Sequence, residues 1–492
     1  MTPPPATWIR STSTEPALRR AGLLCLRRDN ANRADTVTVA GDNYAFTYWD
    51  TGVPKRIGYP NLVAEEYWLT PRGGVDSLVT AYWDDPTIRS IRCRNRYTYN
   101  GLGDRLSHYV SLNRPGTTAL TGTINYTYDG LRRLKQVKNP TGFNGGDTIT
   151  YTYDKMGNRT YKDNKKISDI TYTYNQANNQ LASRTGGMNY TYDDNGNMTQ
   201  WANGDYYITN YGYDCENRLT KVTWDGSADS TLFFYNGDGV RLKKVGTKDS
   251  STQYLVDGMN SVVERTSTGR MRYKYIYANG MMLSRIDSSG TKLWYGHDAL
   301  GSISGITDTY GDAVKSYLYD EFGDSLGAWG STQDKWRYTG QEYDLAPTYA
   351  YNLRAREYYP KLGRFGQNDP IGNAGGSLNW YLYVRNNPVN WTDITGKVCG
   401  SEDIDALVPD QWGDLFDFTG ACSEHDGCYG DCDWGPPKWI CDLQFLNNMY
   451  ASCRNSSNPS KCREVAETYF AAVWSYGFTS FQNARAKCDE CK

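Results

Sequence analysis

The sequence predicts a mainly β chain built from many short strands, followed by a small disulfide-bonded domain. Three observations predict this: abundant tyrosine and glycine, a Tyr-x-Tyr motif that recurs along the chain, and cysteines concentrated near the C-terminus. The 492 residues include 42 Tyr and 49 Gly, which suits aromatic-rich strands joined by turns. A chain of this length exceeds one ordinary core, so we expect several folding units or a large repeat array.

Charge and hydropathy exclude some classes of partner at this stage. The 53 basic and 55 acidic residues give a formal net charge of -2. This balance gives no electrostatic reason to expect a nucleic-acid partner, and we expect none. No apolar run approaches the roughly 18 residues that a membrane-spanning helix needs. The apolar patch at residues 21–26 is flanked by arginines, so it is a poor signal-peptide core.

The recurring unit is Tyr-x-Tyr followed by Asp or Asn, and it returns every 18 to 29 residues. It begins at Tyr97, Tyr126, Tyr151, Tyr172, Tyr190 and Tyr211. Alternation places both rings on one face of a strand, and the Asp or Asn with a nearby Gly begins a tight turn. Each unit is therefore predicted to be a β-hairpin. One hairpin cannot bury its ring face alone, so the hairpins must stack into a continuous sheet or shell.

This pattern resembles the YD repeats of the Rhs family and of the C components of insecticidal toxin complexes, from about residue 40 to 396. Residues 294–302, 307–308 and 319–323 resemble the family's Y-H-D-x-L-G-S, T-D and Y-D-x-F-G series. The resemblance implies a β-cocoon that encloses a toxin, secreted or delivered outside the producing cell. It also implies a delivery apparatus and an immunity protein as partners.

Residues 337–344, 353–360, 363–365 and 369–372 resemble the Rhs core-associated domain, which cleaves itself by an aspartyl-protease-like mechanism. The matching acids are Asp369 and Asp393, and paired carboxylates can share a proton and activate water. The second element reads D-I-T-G-K instead of D-P-x-G with a following apolar residue, so cleavage is less firmly predicted than fold. Both acids could instead simply begin turns. Arg364 is predicted either to pair with one carboxylate or to be structural.

Nine of the twelve cysteines lie between Cys399 and Cys491, which indicates a disulfide framework formed in an oxidising compartment. An odd number leaves one cysteine over. A zinc site at Cys422, His425, Cys428 and Cys432 is the alternative, although it lacks paired C-x2-C spacing. The disulfide candidates are Cys399, Cys422, Cys428, Cys432, Cys441, Cys453, Cys462, Cys488 and Cys491.

Residues 421–432 resemble the C-C-x-x-H-D-x-C-Y active-site helix of secreted phospholipases A2, with Ala421 in place of the first Cys. His425 is a candidate general base, because its ordinary pKa of roughly 6.5 suits proton exchange near neutral pH. Asp442, beside Cys441 on a second predicted helix, is the candidate acceptor for its other ring nitrogen. Asp426 and backbone oxygens of a preceding loop are hard ligands that suit Ca²⁺. The loop ligands expected are Trp412, Gly413 and Leu415.

These predictions divide the chain into an N-terminal segment (1–40), a YD/Rhs repeat array (41–335), a core-associated domain (336–396) and a phospholipase A2-like domain (397–492). The predicted fold is a mainly β YD-repeat shell followed by a small, disulfide-rich α-helical domain. The predicted activity is calcium-dependent hydrolysis of the acyl ester of membrane glycerophospholipids. The alternative is a non-catalytic shell whose disulfide-rich module binds a receptor or membrane. A nuclease is less favoured, since the tail lacks a basic balance and a second His.

Overall fold

The computed structural model describes most of the repeat array and the core-associated domain. It covers residues 24–397 except 31–32, 40, 86–87, 144–145, 165–168, 205–206, 226, 228, 247–250, 346–347 and 373–376, and beyond them residues 411–412, 416–417, 448 and 453. This part of the chain is almost entirely β-structure. It contains a 28-stranded sheet, a four-stranded sheet and a two-stranded hairpin.

The large sheet is a meander in which each strand pairs antiparallel with the next along the chain. Its first half comprises β1 (Leu24–Arg28), β2 (Ala34–Val39), β3 (Asp42–Tyr48), β4 (Pro54–Gly58), β5 (Val63–Leu69), β6 (Val75–Asp85), β7 (Ile88–Tyr99), β8 (Arg105–Leu112), β9 (Leu120–Tyr128), β10 (Leu134–Lys138), β11 (Thr148–Tyr153), β12 (Arg159–Asn164), β13 (Ile170–Tyr174) and β14 (Leu181–Arg184). Its second half comprises β15 (Met188–Tyr192), β16 (Met198–Asn203), β17 (Tyr207–Tyr213), β18 (Leu219–Trp224), β19 (Ser230–Tyr235), β20 (Arg241–Gly246), β21 (Thr252–Asp257), β22 (Asn260–Thr266), β23 (Met271–Ala278), β24 (Met281–Asp287), β25 (Lys292–His297), β26 (Ile303–Thr307), β27 (Ala313–Tyr319) and β28 (Ser325–Trp329).

The smaller elements follow the meander. Four short strands form the second sheet, namely β29 (Glu342–Asp344), β30 (Ala350–Leu353), β31 (Arg356–Tyr359) and β32 (Arg364–Phe365). Two 3-10 turns flank it, at Tyr338–Gly340 and Val384–Asn386. The final hairpin pairs β33 (Gln411–Trp412) with β34 (Phe416–Asp417).

The Tyr-x-Tyr motif forms strands as predicted, and its two rings have different tasks. In β11 the first tyrosine, Tyr151, is buried in an apolar cluster on one face of the sheet. The hydroxyl of the second, Tyr153, donates to the carbonyl of Leu134 in the preceding hairpin at 2.7 Å. The same bond recurs along the array at 2.6 to 2.9 Å, from Tyr128 to Arg105, Tyr174 to Arg159, Tyr213 to Met198, Tyr235 to Leu219 and Tyr319 to Ile303. Each hairpin is thus bonded to the one before it through a side chain as well as through the sheet.

The meander winds back on itself, because its early strands pack on its late ones. Tyr44 in β3 and Ser284 in β24 have hydroxyl oxygens 2.5 Å apart. The amide of Asn61 donates to the Thr307 hydroxyl at 3.0 Å. One apolar cluster joins β2–β6 with β23–β25 and includes Leu283. The first and last parts of the array are therefore held together by side chains.

The core-associated segment, residues 336–397, packs against the same sheet. Ala350, Tyr359 and Leu362 share a buried cluster with β13–β19. Asp344 of this segment forms a buried ion pair with Arg241 at 2.7 Å, and just before the segment Asp334 pairs with Arg285 and Lys335 with Glu264, each at 2.7 Å. Removing one partner of a buried ion pair leaves the other charge buried and unpaired. These contacts therefore favour one position of the segment on the sheet.

The sheet begins before the predicted array boundary at residue 41. Strands β1 and β2 lie within the segment 1–40 and pair with each other, and β2 pairs with β3. Val37 and Val39 are buried at alternate positions, so period-two burial forms this strand without the Tyr-x-Tyr motif. No helix in the described part of the chain is long and apolar enough to cross a membrane.

Candidate self-cleavage site

The two acids predicted for self-cleavage are brought together by an arginine. Arg356 begins β31 and is 1% exposed. Its Nη2 lies 2.8 Å from Asp369 Oδ2 and 3.3 Å from Asp393 Oδ2. Both acids are buried as well. One guanidinium therefore joins carboxylates that are 24 positions apart in the sequence.

The local backbone fixes each acid. The Asp369 amide donates to the Trp380 carbonyl at 3.0 Å, and Asp369 Oδ1 accepts the amide of Ile371 at 3.1 Å. Asp393 Oδ1 accepts the amide of Lys397 at 3.0 Å. In both cases the acid begins a turn, as the structural alternative predicted. The remaining oxygen of each carboxylate still faces Arg356, so the turn role and the paired-acid arrangement coexist.

The segment after Asp393 lies directly along Arg356. The Arg356 Nε donates to the Gly396 carbonyl at 2.6 Å, and the Ala355 amide donates to the Thr395 carbonyl at 3.1 Å. Gly396 has a φ of +70°, and a Cβ there would lie 2.3 Å from the Leu353 carbonyl oxygen. Only glycine fits this conformation and this approach. The Gly396 carbonyl is therefore presented to the same guanidinium that holds both acids.

Burial and the cation act on this acid pair in opposite directions. Burial, and secondarily the neighbouring Asp369, raises the pKa of Asp393 to about 6, while Arg356 opposes that rise. Burial also raises the pKa of Asp369, again against Arg356. Burial lowers the pKa of Arg356 itself, although both carboxylates act to raise it. Burial thus makes both carboxyls easier to protonate than an exposed aspartate, and Asp393 titrates closer to neutral pH.

Arg364 is placed elsewhere and takes the structural role that the sequence left open. Its Nη2 donates to the Asn179 carbonyl at 2.6 Å, and its guanidinium lies over the rings of Tyr174 and Tyr381. The charge partner of both acids is Arg356, which the sequence interpretation missed. The available signal was an arginine in the strand R-E-Y-Y, next to two tyrosines, and all four residues of this strand are buried.

The C-terminal site residues lie outside the described part of the chain. This holds for His425, Asp426, Asp442, Gly413 and Leu415. It also holds for the disulfide candidates Cys399, Cys422, Cys428, Cys432, Cys441, Cys462, Cys488 and Cys491. In the predicted calcium loop, β33 ends at Trp412 and β34 begins at Phe416.

Two described residues fall on the second predicted helix of the C-terminal domain. Asn448 and Cys453 are both helical. Cys453 is buried and disulfide-bonded. Cys93 and Cys215 have free thiols, and both belong to the repeat array.

Comparison with known proteins supports the reading of the β region. Residues 89–257 match the family model described as the teneurin YD-shell. The Photorhabdus luminescens Tc holotoxin pore superposes with a TM-score of 0.65 and 19% identity, over 80% of this chain and 21% of that one. The fold is that of a YD shell. We call residues 24–397 the shell from here on.

Three curated relatives are similar in sequence. The tRNA3(Ser)-specific nuclease WapA of Bacillus spizizenii is 33% identical over 51% of this chain and 11% of its own length. The double-stranded DNA deaminase toxin A of Burkholderia cenocepacia is 26% identical over 67% of this chain and 24% of its own length. The mouse group XIIB secretory phospholipase A2-like protein is 31% identical over 14% of this chain and 40% of its own length. The chain thus spans only a small part of the length of the two bacterial relatives.

The expected partners are corrected by this comparison. Charge balance led us to exclude nucleic acid, and the resemblance to secreted phospholipases A2 led us to expect membrane phospholipids as substrate. Relatives similar to this chain are named for action on tRNA and on double-stranded DNA, so that expectation is wrong. Net charge failed as a criterion because it sums over the whole chain, most of which is shell, and says nothing of the C-terminal segment by itself.

Proposed function

We propose that this chain is a toxin-type shell protein that cuts itself at the 393–397 turn and so separates the shell from an enzymatic C-terminal segment. The observation that carries the proposal is the contact of Arg356 with Asp369, with Asp393 and with the Gly396 carbonyl. The names of the two bacterial relatives, a nuclease and a deaminase toxin, and the enzyme-like motif at 421–432 support the wider role.

The chemistry follows from the arrangement of these groups. The ionised member of the acid pair takes a proton from a water molecule, and the water oxygen bonds to the Gly396 carbonyl carbon. The Arg356 Nε stabilises the charge that develops on the carbonyl oxygen. The protonated acid gives its proton to the Lys397 nitrogen as the peptide bond breaks. The products are a carboxylate at Gly396 and an amine at Lys397.

The mass of the purified full chain tests this step. We expect the 55.6 kDa chain to convert into two fragments that separate after Gly396. The variant Asp369→Asn should stay intact, because it cannot supply the second acid. A wild-type chain that keeps its full mass after prolonged incubation between pH 5 and 7 would contradict the proposal.

We further propose that the C-terminal segment is a calcium-dependent carboxylic-ester hydrolase of the phospholipase A2 type. His425 would be its general base, Asp442 the partner that orients it, and Asp426 a ligand of Ca²⁺. The motif at residues 421–432 and the similarity to the mouse phospholipase A2-like protein support this chemistry. A nucleic-acid-directed enzyme is the second candidate, favoured by the names of the two bacterial relatives.

One set of assays separates these candidates. The full chain is incubated with a soluble short-chain acyl ester, with tRNA and with double-stranded DNA, each with Ca²⁺ or with EGTA. Ester cleavage that needs Ca²⁺ and disappears in His425→Ala would support the hydrolase. Cut tRNA or deaminated DNA, with the ester untouched, would replace it with the second candidate.

A further inference from the structure

A cavity of about 320 Å³ lies between β20–β26 of the shell and the core-associated segment. Its apolar wall includes Val240, Val256, Met281, Met282 and Ile303. Exposed Met259 (53%) and Ile394 (51%) also line it, so the cavity opens to solvent between them. The volume falls at the lower end of the range for small-molecule sites, roughly 300 to 1,000 Å³.

Several hydrogen-bond donors in the wall are left over, among them Thr339 Oγ1 and the Nε and Nη2 of Arg241. Four others are the hydroxyls of Ser261 and Tyr277, the indole nitrogen of Trp336 and the Nε of Arg354. Each of these atoms is buried, and none has a hydrogen-bond partner among the described residues. A buried donor without an acceptor costs about 1 to 3 kcal/mol. Four donors around one cavity therefore point to a ligand that is rich in acceptors.

The charges in the wall give the sign of that ligand. Arg241 is neutralised by Asp344 at 2.7 Å, and Glu342 by Lys335 at 2.8 Å. Arg354 donates through Nη1 to the Gln341 side-chain oxygen at 3.2 Å and to the Ile394 carbonyl, both uncharged groups. Burial lowers the pKa of Arg354, so a nearby anion would stabilise its charged form.

We propose that this cavity binds a small carboxylate with an apolar body, of the medium-chain fatty-acid class. The carboxylate accepts from the Arg354 Nε and from the neighbouring Tyr277, Trp336 or Ser261 donors. The alkyl body lies against the methionine and valine side chains. The cavity borders the 393–397 turn through Ile394, but neither Asp369 nor Asp393 lines it, and the bound carboxylate takes no part in the cleavage chemistry.

Calorimetric titration of the full chain with decanoate tests the proposal, with decylamine as the matched ligand of opposite charge. We expect decanoate to saturate one site and decylamine to bind at least tenfold more weakly. Tyr277→Phe removes one donor and should weaken decanoate binding about tenfold, which corresponds to about 1.4 kcal/mol. Tyr317→Phe removes a buried tyrosine hydroxyl outside the cavity and should leave decanoate binding within about twofold.

Three results would overturn the proposal. One is no saturation by decanoate up to about 1 mM, an affinity of the order of -4 kcal/mol. Another is equal binding of decanoate and decylamine, which would mean apolar adsorption without recognition of charge. The third is unchanged binding in a Tyr277→Phe chain whose near-ultraviolet circular dichroism matches the wild type. The comparison of two ligands on the wild-type chain needs no variant, so it stands even if Tyr277→Phe misfolds.

Discussion

The turn at residues 393–397 and the turn at 193–197 in the repeat array have the same local construction. In each, the first-position Asp accepts the amide of the fifth residue, Lys397 at 3.0 Å and Asn197 at 2.8 Å. In each, the fourth residue is a glycine with positive φ, +70° at Gly396 and +84° at Gly196. The candidate cleavage site is therefore built on the turn that the repeat uses throughout.

The difference lies in what reaches the second carboxylate oxygen. In the repeat turn, Asp193 Oδ2 accepts the side-chain amide of Asn197 at 2.9 Å, inside the same turn. At Asp393 this oxygen instead faces Arg356, which also holds Asp369. A structural turn becomes a candidate acid–base site when its free oxygen is buried against a second acid. The chemistry depends on the surroundings of the turn.

In a third version of the turn, the fifth residue is an arginine, and its side chain bonds a different group. Where it is arginine, as in Arg133, the Nε bonds Asp129 Oδ2 at 2.7 Å and Nη1 reaches the carbonyl of Asp154 in the next turn at 3.0 Å. Arg33 and Arg218 repeat this arrangement. Where it is asparagine, as in Asn158, the side chain meets Asn379 of the core-associated segment at 2.6 Å. Both kinds of turn bond the next turn of the array, and the asparagine turns also contact the core-associated segment.

The two turns should differ most when the first-position Asp of each, Asp393 or Asp193, is exchanged for Asn. Asp393→Asn should slow self-cleavage at least about 10³-fold, because an amide cannot carry the proton. Asp193→Asn should leave cleavage within about twofold, since its turn has no second acid. Intact-mass time courses of both variants measure this. An equal loss of cleavage rate in the two variants would mean that the substitution acts by disturbing the turn and not by removing an acid.

Substitution by alanine should cost different amounts of stability at different fourth-position glycines. A Cβ at Gly196 would lie 2.0 Å from Asn368 Nδ2, so Gly196→Ala should lower the free energy of unfolding by about 3 kcal/mol. Gly269 has a φ of +80° but nothing within 4 Å of a Cβ. Gly269→Ala should cost only about 1 kcal/mol, from the backbone alone. Urea unfolding of both variants measures the difference, and equal costs would remove packing as its cause.

The arginine in the turn at 129–133 should contribute less to the free energy of unfolding than Gly196 does. Arg133→Ala removes the bonds to Asp129 and Asp154 and a guanidinium lying 4.7 Å from the centre of the Tyr153 ring. We expect a loss of about 1.5 kcal/mol in the free energy of unfolding. Lys135→Ala, an exposed change in the adjoining strand, should stay within about 0.5 kcal/mol. No excess loss in Arg133→Ala would show that this link between turns is dispensable.

The smallest effect is the pH dependence of cleavage. The pKa of Asp393 is about 6, so its protonated fraction falls about tenfold per pH unit above that value. If the proton on this pair is needed, the rate should fall about tenfold from pH 7 to pH 8. The raised pKa also means that ionising Asp393 weakens the folded state as pH rises from 3.8 through 6, and Asp393→Asn should remove that slope. A rate that is flat between pH 7 and 8 would exclude a protonated Asp393.

Much of the shell could be predicted because its signals are local. The Tyr-x-Tyr alternation and the following Asp predicted strands and turns that the structure confirms, for example β11 and the turn at Asp154. Strands β1 and β2 were not predicted, because they lack the Tyr-x-Tyr motif. Arg356 escaped for a different reason: its contacts with Asp369 and Asp393 span 13 and 37 positions, and the sequence holds no periodicity that relates them. The sequence motif pointed to Arg364 as the charge partner of the acids. Burial and strand position instead make Arg356 their partner.

The bond from the second tyrosine of each unit to the preceding hairpin has a consequence for how the shell is made. Every new hairpin finds its acceptor carbonyl already present on the strand pair completed just before it. The array can therefore lengthen in one direction, hairpin by hairpin, as the chain leaves the ribosome, with little entropy lost in closing loops. The contacts of β2–β7 with β23–β27, and those of the core-associated segment with β13–β19, must wait for distant parts of the chain. Growth of the array is thus sequential, and the winding of the sheet and the docking of the core-associated segment come last.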